Sequence, residues 1–151
     1  MSFKDANGTQ WDTSVTVGSI RRVKGVTGVD LANIFDEKVY GQLVSDPFML
    51  IDVIVALIKP QLDERDVKED AFAELCNGST VELATESLMH SIAEFFPAPK
   101  RKPLLHIWER SQESQLKMGE LAIQKIDQVM DHQDKEMAEK VEKMDPSTFG
   151  S

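Results

Sequence analysis

The middle of the chain carries the clearest pattern of apolar positions. An acidic N-cap and a proline suited to the first helical position, Asp46-Pro47, precede the run 48–58, which is apolar except for Asp52 and is followed by Lys59-Pro60. A helix that is apolar nearly all round belongs at the centre of a core. The run is too short to cross a membrane, and an aspartate interrupts it. We therefore predict a central core helix that ends at Lys59-Pro60.

Shorter amphipathic patterns precede this helix. Apolar residues at three- and four-residue steps predict a helix from Ile20 to a C-cap at Gly28, with a basic outer face. Asp30 is suited to cap a further short turn, and the segment 39–44 fits either a helix or a strand.

Two more helices are predicted after the central one. Asp66 with Glu69, and Ser79 with Glu82, have the spacing of capping boxes, in which each side chain bonds the other residue's backbone N–H. The first helix stops at Asn77-Gly78, and the second continues its apolar stripe until Pro97. We expect both helices to pack on the central one.

The N-terminal segment predicts a small β-hairpin. Asn7-Gly8 is the favoured pair for a two-residue turn. From Trp11 to Val17, apolar and polar residues alternate as they do in a half-buried strand, and Gly18 ends the alternation.

The pattern of the C-terminal third predicts a connector followed by one long helix. Residues 97–103 form a Pro-rich basic connector, and no proline follows until Pro146. Polar or small residues at 112, 115 and 119 interrupt a strict heptad, so the coiled-coil signal is weak. Because apolar residues become sparse after Met130, we expect a frayed or disordered end.

Together these patterns predict a mainly α protein: a helical domain with a small N-terminal β-hairpin and a long C-terminal helix. The expected division is a hairpin plus helical core domain at 1–96, the connector at 97–103, and the long helix at 104–151.

Composition and charge narrow the function classes. The 151 residues are 41% hydrophobic and 28% charged, which is typical of a folded globular chain. With 17 basic and 26 acidic residues the net charge is −9, so we expect protein partners and neither nucleic acid nor membrane. The single cysteine and the absence of an apolar leader in Met-Ser-Phe-Lys favour a cytosolic compartment.

Few residues suggest a catalytic or metal-binding role. His90 stands four residues from both Glu86 and Glu94, which could hold a divalent metal, although a solvated acidic face with one histidine is the interpretation that we favour. Cys76 has no basic or Gly-rich setting to lower its pKa, so we expect a thiol in the core. We predict no catalytic group, metal or cofactor.

The long helix offers a candidate partner-binding surface. Several of its positions carry methionine, which adapts to varied helical partners, while ordinary core packing remains an equal alternative. The candidate binding residues are Leu104, Leu105, Trp108, Met118, Leu121, Ile126 and Met130.

Several short segments resemble one known family when taken in order. They are Phe3-Lys4-Asp5-x-Asn7-Gly8-x-x-Trp11, Thr16–Lys24, Thr27–Leu31, Ser45-Asp46-Pro47, Lys59-Pro60-Gln61 and Glu94–Pro97. This order is similar to that of the tail assembly chaperones of long-tailed bacteriophages. The resemblance covers about residues 3–105 and consists of caps, turns and core positions, without a catalytic signature.

The resemblance implies a non-catalytic role in virion assembly. Such a chaperone binds the tape-measure protein, keeps its apolar helices from aggregating and brings tail-tube subunits to it. It acts in the host cytoplasm, is absent from the mature virion, and forms oligomers along the tape measure. Two alternatives stay open: a structural virion component, such as a connector or minor tail protein, and a small metal- or thiol-dependent enzyme.

Overall fold

A computed structural model describes residues 1–143. It is mainly helical, with one hairpin at the N-terminus and a long helix at the C-terminus, which confirms the predicted fold class. The elements are β1 Ser2–Lys4, β2 Gln10–Asp12, α1 Val17–Thr27, a 3₁₀ turn Leu31–Asn33, α2 Glu37–Ser45, α3 Pro47–Glu64, α4 Glu69–Glu74, α5 Gly78–Phe95 and α6 Ala98–Lys143. The chain divides into a compact first unit, Met1–Trp108, and a second unit that begins at Glu109.

The hairpin forms around the predicted Asn-Gly turn. Its strands pair antiparallel with Phe3 opposite Trp11, and Gly8 takes a positive φ of 79°. The buried Asp5 carboxylate closes the turn: it accepts the backbone N–H of residues 7 and 9 and, at 3.0 Å, the indole N–H of Trp11. Both carboxylate oxygens therefore accept hydrogen bonds, which offsets the cost of burying a charge.

The second strand is shorter than the alternation predicted. It ends at Asp12, and α1 begins at Val17, where a strand was expected. The cause is a capping box that the sequence analysis missed: the Thr16 hydroxyl accepts the Ser19 N–H at 3.1 Å, and the Ser19 hydroxyl accepts the Thr16 N–H at 2.8 Å. The predicted C-cap is confirmed, since Gly28 is left-handed with φ 79°.

Helix α3 is the centre of the first unit, as predicted, and α1, α2, α4, α5 and β2 all contact it. The Asp46 carboxylate caps it, accepting the N–H of Phe48 and Met49. The predicted end at Lys59-Pro60 is wrong, because the helix continues through Pro60 to Glu64. Proline lacks the N–H that would bond the carbonyl four residues earlier, and the Arg22 side chain donates to that carbonyl instead.

Helices α4 and α5 begin differently from the prediction. The cap of α4 is Lys68, without a side-chain bond, while Asp66 takes a left-handed φ of 55° in the preceding turn. The cap of α5 is Asn77, whose side chain accepts the Thr80 N–H at 3.0 Å. Asparagine stands high among capping residues, so it takes the cap two residues before the predicted box could form.

A buried polar cluster joins the hairpin segment to α5. The Thr13 hydroxyl lies 2.6 Å from the Ser87 hydroxyl and 2.7 Å from that of Ser91, and all three residues are buried. Within the described residues, every buried side-chain nitrogen or oxygen has a hydrogen-bond partner. The hairpin is therefore held by specific bonds as well as by the packing of Trp11 on Phe72, whose ring centroids are 5.4 Å apart.

The predicted connector is largely helical. Helix α6 begins at Ala98, so most of the segment 97–103 forms its first turns and Pro103 lies inside it. The Arg101 guanidinium donates to the carbonyls of residues 93, 94 and 96 at the end of α5, each at 3.3 Å. Leu104 and Trp108, one turn apart on the same face, are buried. Burial of this face and the arginine bonds favour helix where the prolines suggested an extended link.

After Trp108 the described part of α6 has little burial. Only Ser111 and Gln112 are partly covered, and the side chains from Glu113 to Glu142 are exposed. Residues 131–143 were expected to fray but are helical. The same expectation covered residues 144–151, which lie outside the described residues. Among the described helices none is by itself long and apolar enough to span a membrane, although α2 and α3, bent by 98° at their junction, meet that criterion as a pair.

Candidate partner-binding surface

The seven candidate binding residues fall into two groups. Leu104, Leu105 and Trp108 pack in the core of the first unit, with Leu104 and Trp108 only 1% and 7% exposed. The other four, Met118, Leu121, Ile126 and Met130, have between 57% and 71% of their surface exposed. Trp108 is therefore not an exposed anchor, because its ring is part of the hydrophobic core.

The four exposed candidates do not share one face of α6. At about 100° per residue, Ile126 lies about 40° from Met130, whereas Leu121 lies about 180° from it and Met118 about 120°. The helix therefore separates Leu121 from Ile126 and Met130. Ile126 and Met130 belong to a wider apolar face that the candidate set covered only in part.

That face carries further exposed apolar side chains that are not among the candidate binding residues. Leu116, Ile123 and Met137 lie within about 40° of Met130 around the helix. Each of the three is at least 60% exposed. Helical spacing within 109–143 alone would have identified them. Side-chain size and methionine content do not reveal angular position around the helix, which is why the candidate residues cover this face only in part.

The first unit has an open groove between α1 and α3. Its lining includes Val26, which is 72% exposed, and the charged residues Asp52, Lys59 and Glu69. The Lys59 ammonium lies 3.2 Å from Asp63 and 3.3 Å from Glu69, and these hydrogen bonds raise its pKa. Asp52 is exposed at the edge of this groove. Its charges largely neutralise one another, so the groove has no evident ligand chemistry.

The thiol of Cys76 is half-buried and unactivated. Its Sγ donates to the Phe72 carbonyl at 3.4 Å. Burial raises its pKa to about 11, and the Asp5 carboxylate contributes to the increase. A nucleophilic cysteine needs the opposite shift, because the thiolate is the reactive form.

His90 lies on α5, partly covered, with Glu86 and Glu94 exposed one turn to either side. Among residues 1–143 no group of three or more histidine, cysteine, aspartate or glutamate side chains is arranged to hold a metal ion. Among those residues, the only close contact between a histidine and a carboxylate is on α6, where His132 Nε2 lies 3.2 Å from Glu136 Oε1.

Comparison with known proteins adds no relative: no protein-family model, curated protein or solved structure matches this chain.

Proposed function

We propose that this chain is a tail assembly chaperone of a long-tailed bacteriophage, which binds the tape-measure protein and recruits tail-tube subunits to it. The observation that carries the proposal is the exposed apolar face of α6. It runs from Leu116 to Met137, on the part of α6 that belongs to the second unit. Large apolar side chains in such a continuous row are costly in water unless a partner covers them.

The motifs that resemble the chaperone family support the proposal. In this chain they fall on positions that form the first unit: the turn at Asn7-Gly8, the C-cap at Gly28 and the N-cap at Asp46. The resemblance ends near residue 105, and the compact unit ends at Trp108. We infer that the first unit is the shared scaffold and that the exposed part of α6 is the partner-specific segment.

The mechanism is helix pairing. An apolar helix of the tape-measure protein lies along the exposed face of α6, so that both apolar surfaces leave water together. Methionines at 130 and 137 are unbranched and flexible, and they adapt to partner side chains of different shape. The acidic charge of the chain keeps neighbouring complexes apart by repulsion. Tail-tube subunits then reach a tape measure whose apolar helices have been kept from associating with one another.

Co-expression with the tape-measure protein of the same phage tests this proposal. The wild-type chain should keep that protein in the soluble fraction. The double variant Ile123→Ser with Met130→Ser should fail to do so, because it removes two large side chains from the apolar face. The matched control is Met118→Ser with Leu121→Ser, which removes the same kind of surface from other sides of α6 and should behave as wild type.

Two results would contradict the proposal. If the two double variants behaved alike, the apolar face of α6 would not be the surface that binds the tape-measure protein. Detection of the chain in purified virions by mass spectrometry would favour a structural virion component instead of a chaperone.

A further inference from the structure

The exposed face of α6 has a seven-residue register. Large apolar residues recur at every seventh position, Leu116, Ile123, Met130 and Met137, which are a positions of a heptad. Ile126 is at a d position of the same register, between Gly119 and Gln133. We call these a and d positions from 116 to 137 the α6 stripe. Its spacing is that of a helix that pairs with another helix along its length.

One edge of the α6 stripe is acidic at every turn of the register. The e positions are Glu113, Glu120, Asp127 and Asp134, and all four side chains are exposed. None of them forms an ion pair with any residue of 1–143. The opposite edge, at the g positions, begins with Gln115, Ala122 and Val129 and carries no acid until Glu136.

We infer that the occupant of the α6 stripe is a helix of a partner protein that carries lysine or arginine along one edge of its own apolar heptads. The inference builds on the proposed function in taking α6 as the binding surface, and it specifies the chemistry of the segment that binds there. Flanking charges in a coiled coil select the partner and its orientation. Four acids in a row on one edge therefore select a basic edge and disfavour an acidic one.

A glycine in the α6 stripe adds a steric preference. Gly119 stands at a d position, and a Cβ built there would meet no atom within 4 Å. The missing side chain leaves a hole beside Leu116 and Ile123. A large side chain of the partner fills such a hole, as a knob does in coiled-coil packing.

A second copy of this chain does not satisfy the same chemistry. In a parallel pair the e acids would face the g residues of the copy, which include no lysine or arginine within 113–142. In an antiparallel pair the e acids would face one another. Lys140, the next d residue beyond the α6 stripe, would also meet its own copy in the parallel pair. The charges therefore favour a different, basic partner over self-association.

Two synthetic peptides of four heptads test this inference with the full chain. Both carry leucine and isoleucine at a and d; one has lysine and the other glutamate at the flanking e and g positions. In fluorescence anisotropy the lysine peptide should bind about tenfold more tightly or better, since several exposed ion pairs contribute modestly and together. The difference should shrink as salt screens the charges.

Charge reversal on α6 supplies the matched variants. The triple variant Glu120→Lys, Asp127→Lys, Asp134→Lys should prefer the glutamate peptide. The control Asp131→Lys, Glu139→Lys, Glu142→Lys changes the net charge equally at positions outside a, d, e and g, and it should keep the preference of the wild type. Circular dichroism of both variants should show wild-type helix content.

The outcomes separate this inference from the proposed function. Equal binding of the two peptides, no binding of either, or reversal by the control triple would overturn the basic-edge inference, whatever the tape-measure co-expression shows. A tight dimer of the chain alone in sedimentation equilibrium, abolished by Ile123→Ser with Met130→Ser, would overturn it in favour of a second copy. Peptide discrimination without solubilisation of the tape-measure protein would leave the α6 stripe intact and contradict only the chaperone role.

Discussion

The guanidinium of Arg22 donates to the backbone carbonyl of Ala56, with Nε 2.7 Å from the oxygen. This carbonyl has no backbone donor within α3, because the residue four positions later is Pro60, which lacks an N–H. A second bond of the same guanidinium reaches the Leu57 carbonyl at 2.8 Å. A side chain of α1 thus completes the hydrogen bonding of the central helix, and the proline that was expected to end α3 lies within it.

Replacement of Arg22 by alanine should lower the free energy of unfolding by about 1–3 kcal/mol, because it leaves a partly buried carbonyl without a donor. The neighbouring Arg21→Ala, at an exposed position of the same helix, should change it by less than about 0.5 kcal/mol. Urea unfolding measures both. In a Pro60→Ala background the residue at 60 supplies its own N–H, so the loss caused by Arg22→Ala should shrink. An unchanged loss there would show that the arginine acts through other contacts.

The burial of Trp108 gives a second prediction. Trp108→Ala should destabilise the first unit by about 3–5 kcal/mol, the cost of truncating a large core side chain. Leu121→Ala, which truncates an exposed side chain of the same helix, should leave the melting temperature within about 2 °C of wild type. Scanning calorimetry compares the two. Equal melting temperatures would mean that α6 does not pack against the core through Trp108.

Truncation tests the division of the chain. A chain that ends after Gln112 should melt at nearly the wild-type temperature, because the side chains from Glu113 to Glu142 are exposed. A chain that ends after Pro103 loses Leu104 and Trp108 from the core, and it should melt many degrees lower. A large decrease for the longer chain would contradict the independence of the first unit.

The raised pKa of Cys76 predicts slow alkylation. At pH 8 the native thiol should react with iodoacetamide roughly ten- to a hundredfold more slowly than the thiol of the urea-unfolded chain, because burial disfavours the thiolate. The same shift links stability to pH. The folded state favours the neutral thiol, so this contribution is complete below the ordinary pKa of 9.0 and is lost as the pH rises towards about 11. Equal alkylation rates in the native and unfolded chains would show that the thiol is not buried.

The sequence predicted the helices well where local signals act alone. Asp46-Pro47 and Gly28 define helix ends through their own backbone and side-chain bonds, so their positions could be read without the fold. Pro60 could not be interpreted in this way, because its compensation comes from Arg22, a residue 38 positions away in the sequence. Hydrogen bonds between residues that are distant along the chain leave no periodic pattern in the sequence.

The candidate binding residues show the same limit of prediction from sequence. The apolar pattern of α6 identified both Trp108 and Ile126, but it could not tell which of them the core covers. That distinction depends on where the first unit ends, which is a property of packing. The acidic edge at Glu113, Glu120, Asp127 and Asp134 is fully present in the sequence. This edge can be interpreted as a binding feature only because the structure shows that α6 is exposed over residues 113–142.

Amide hydrogen exchange on the complex with the tape-measure protein tests the central claim most directly. An exposed helix that packs on nothing opens readily, so the free chain should exchange fast across the α6 stripe and slowly in the core of the first unit. On binding, the account predicts that exchange slows from about Glu113 to Met137 and changes little from Met1 to Trp108. Protection confined to the first unit, with the α6 stripe still exchanging fast in the complex, would contradict it.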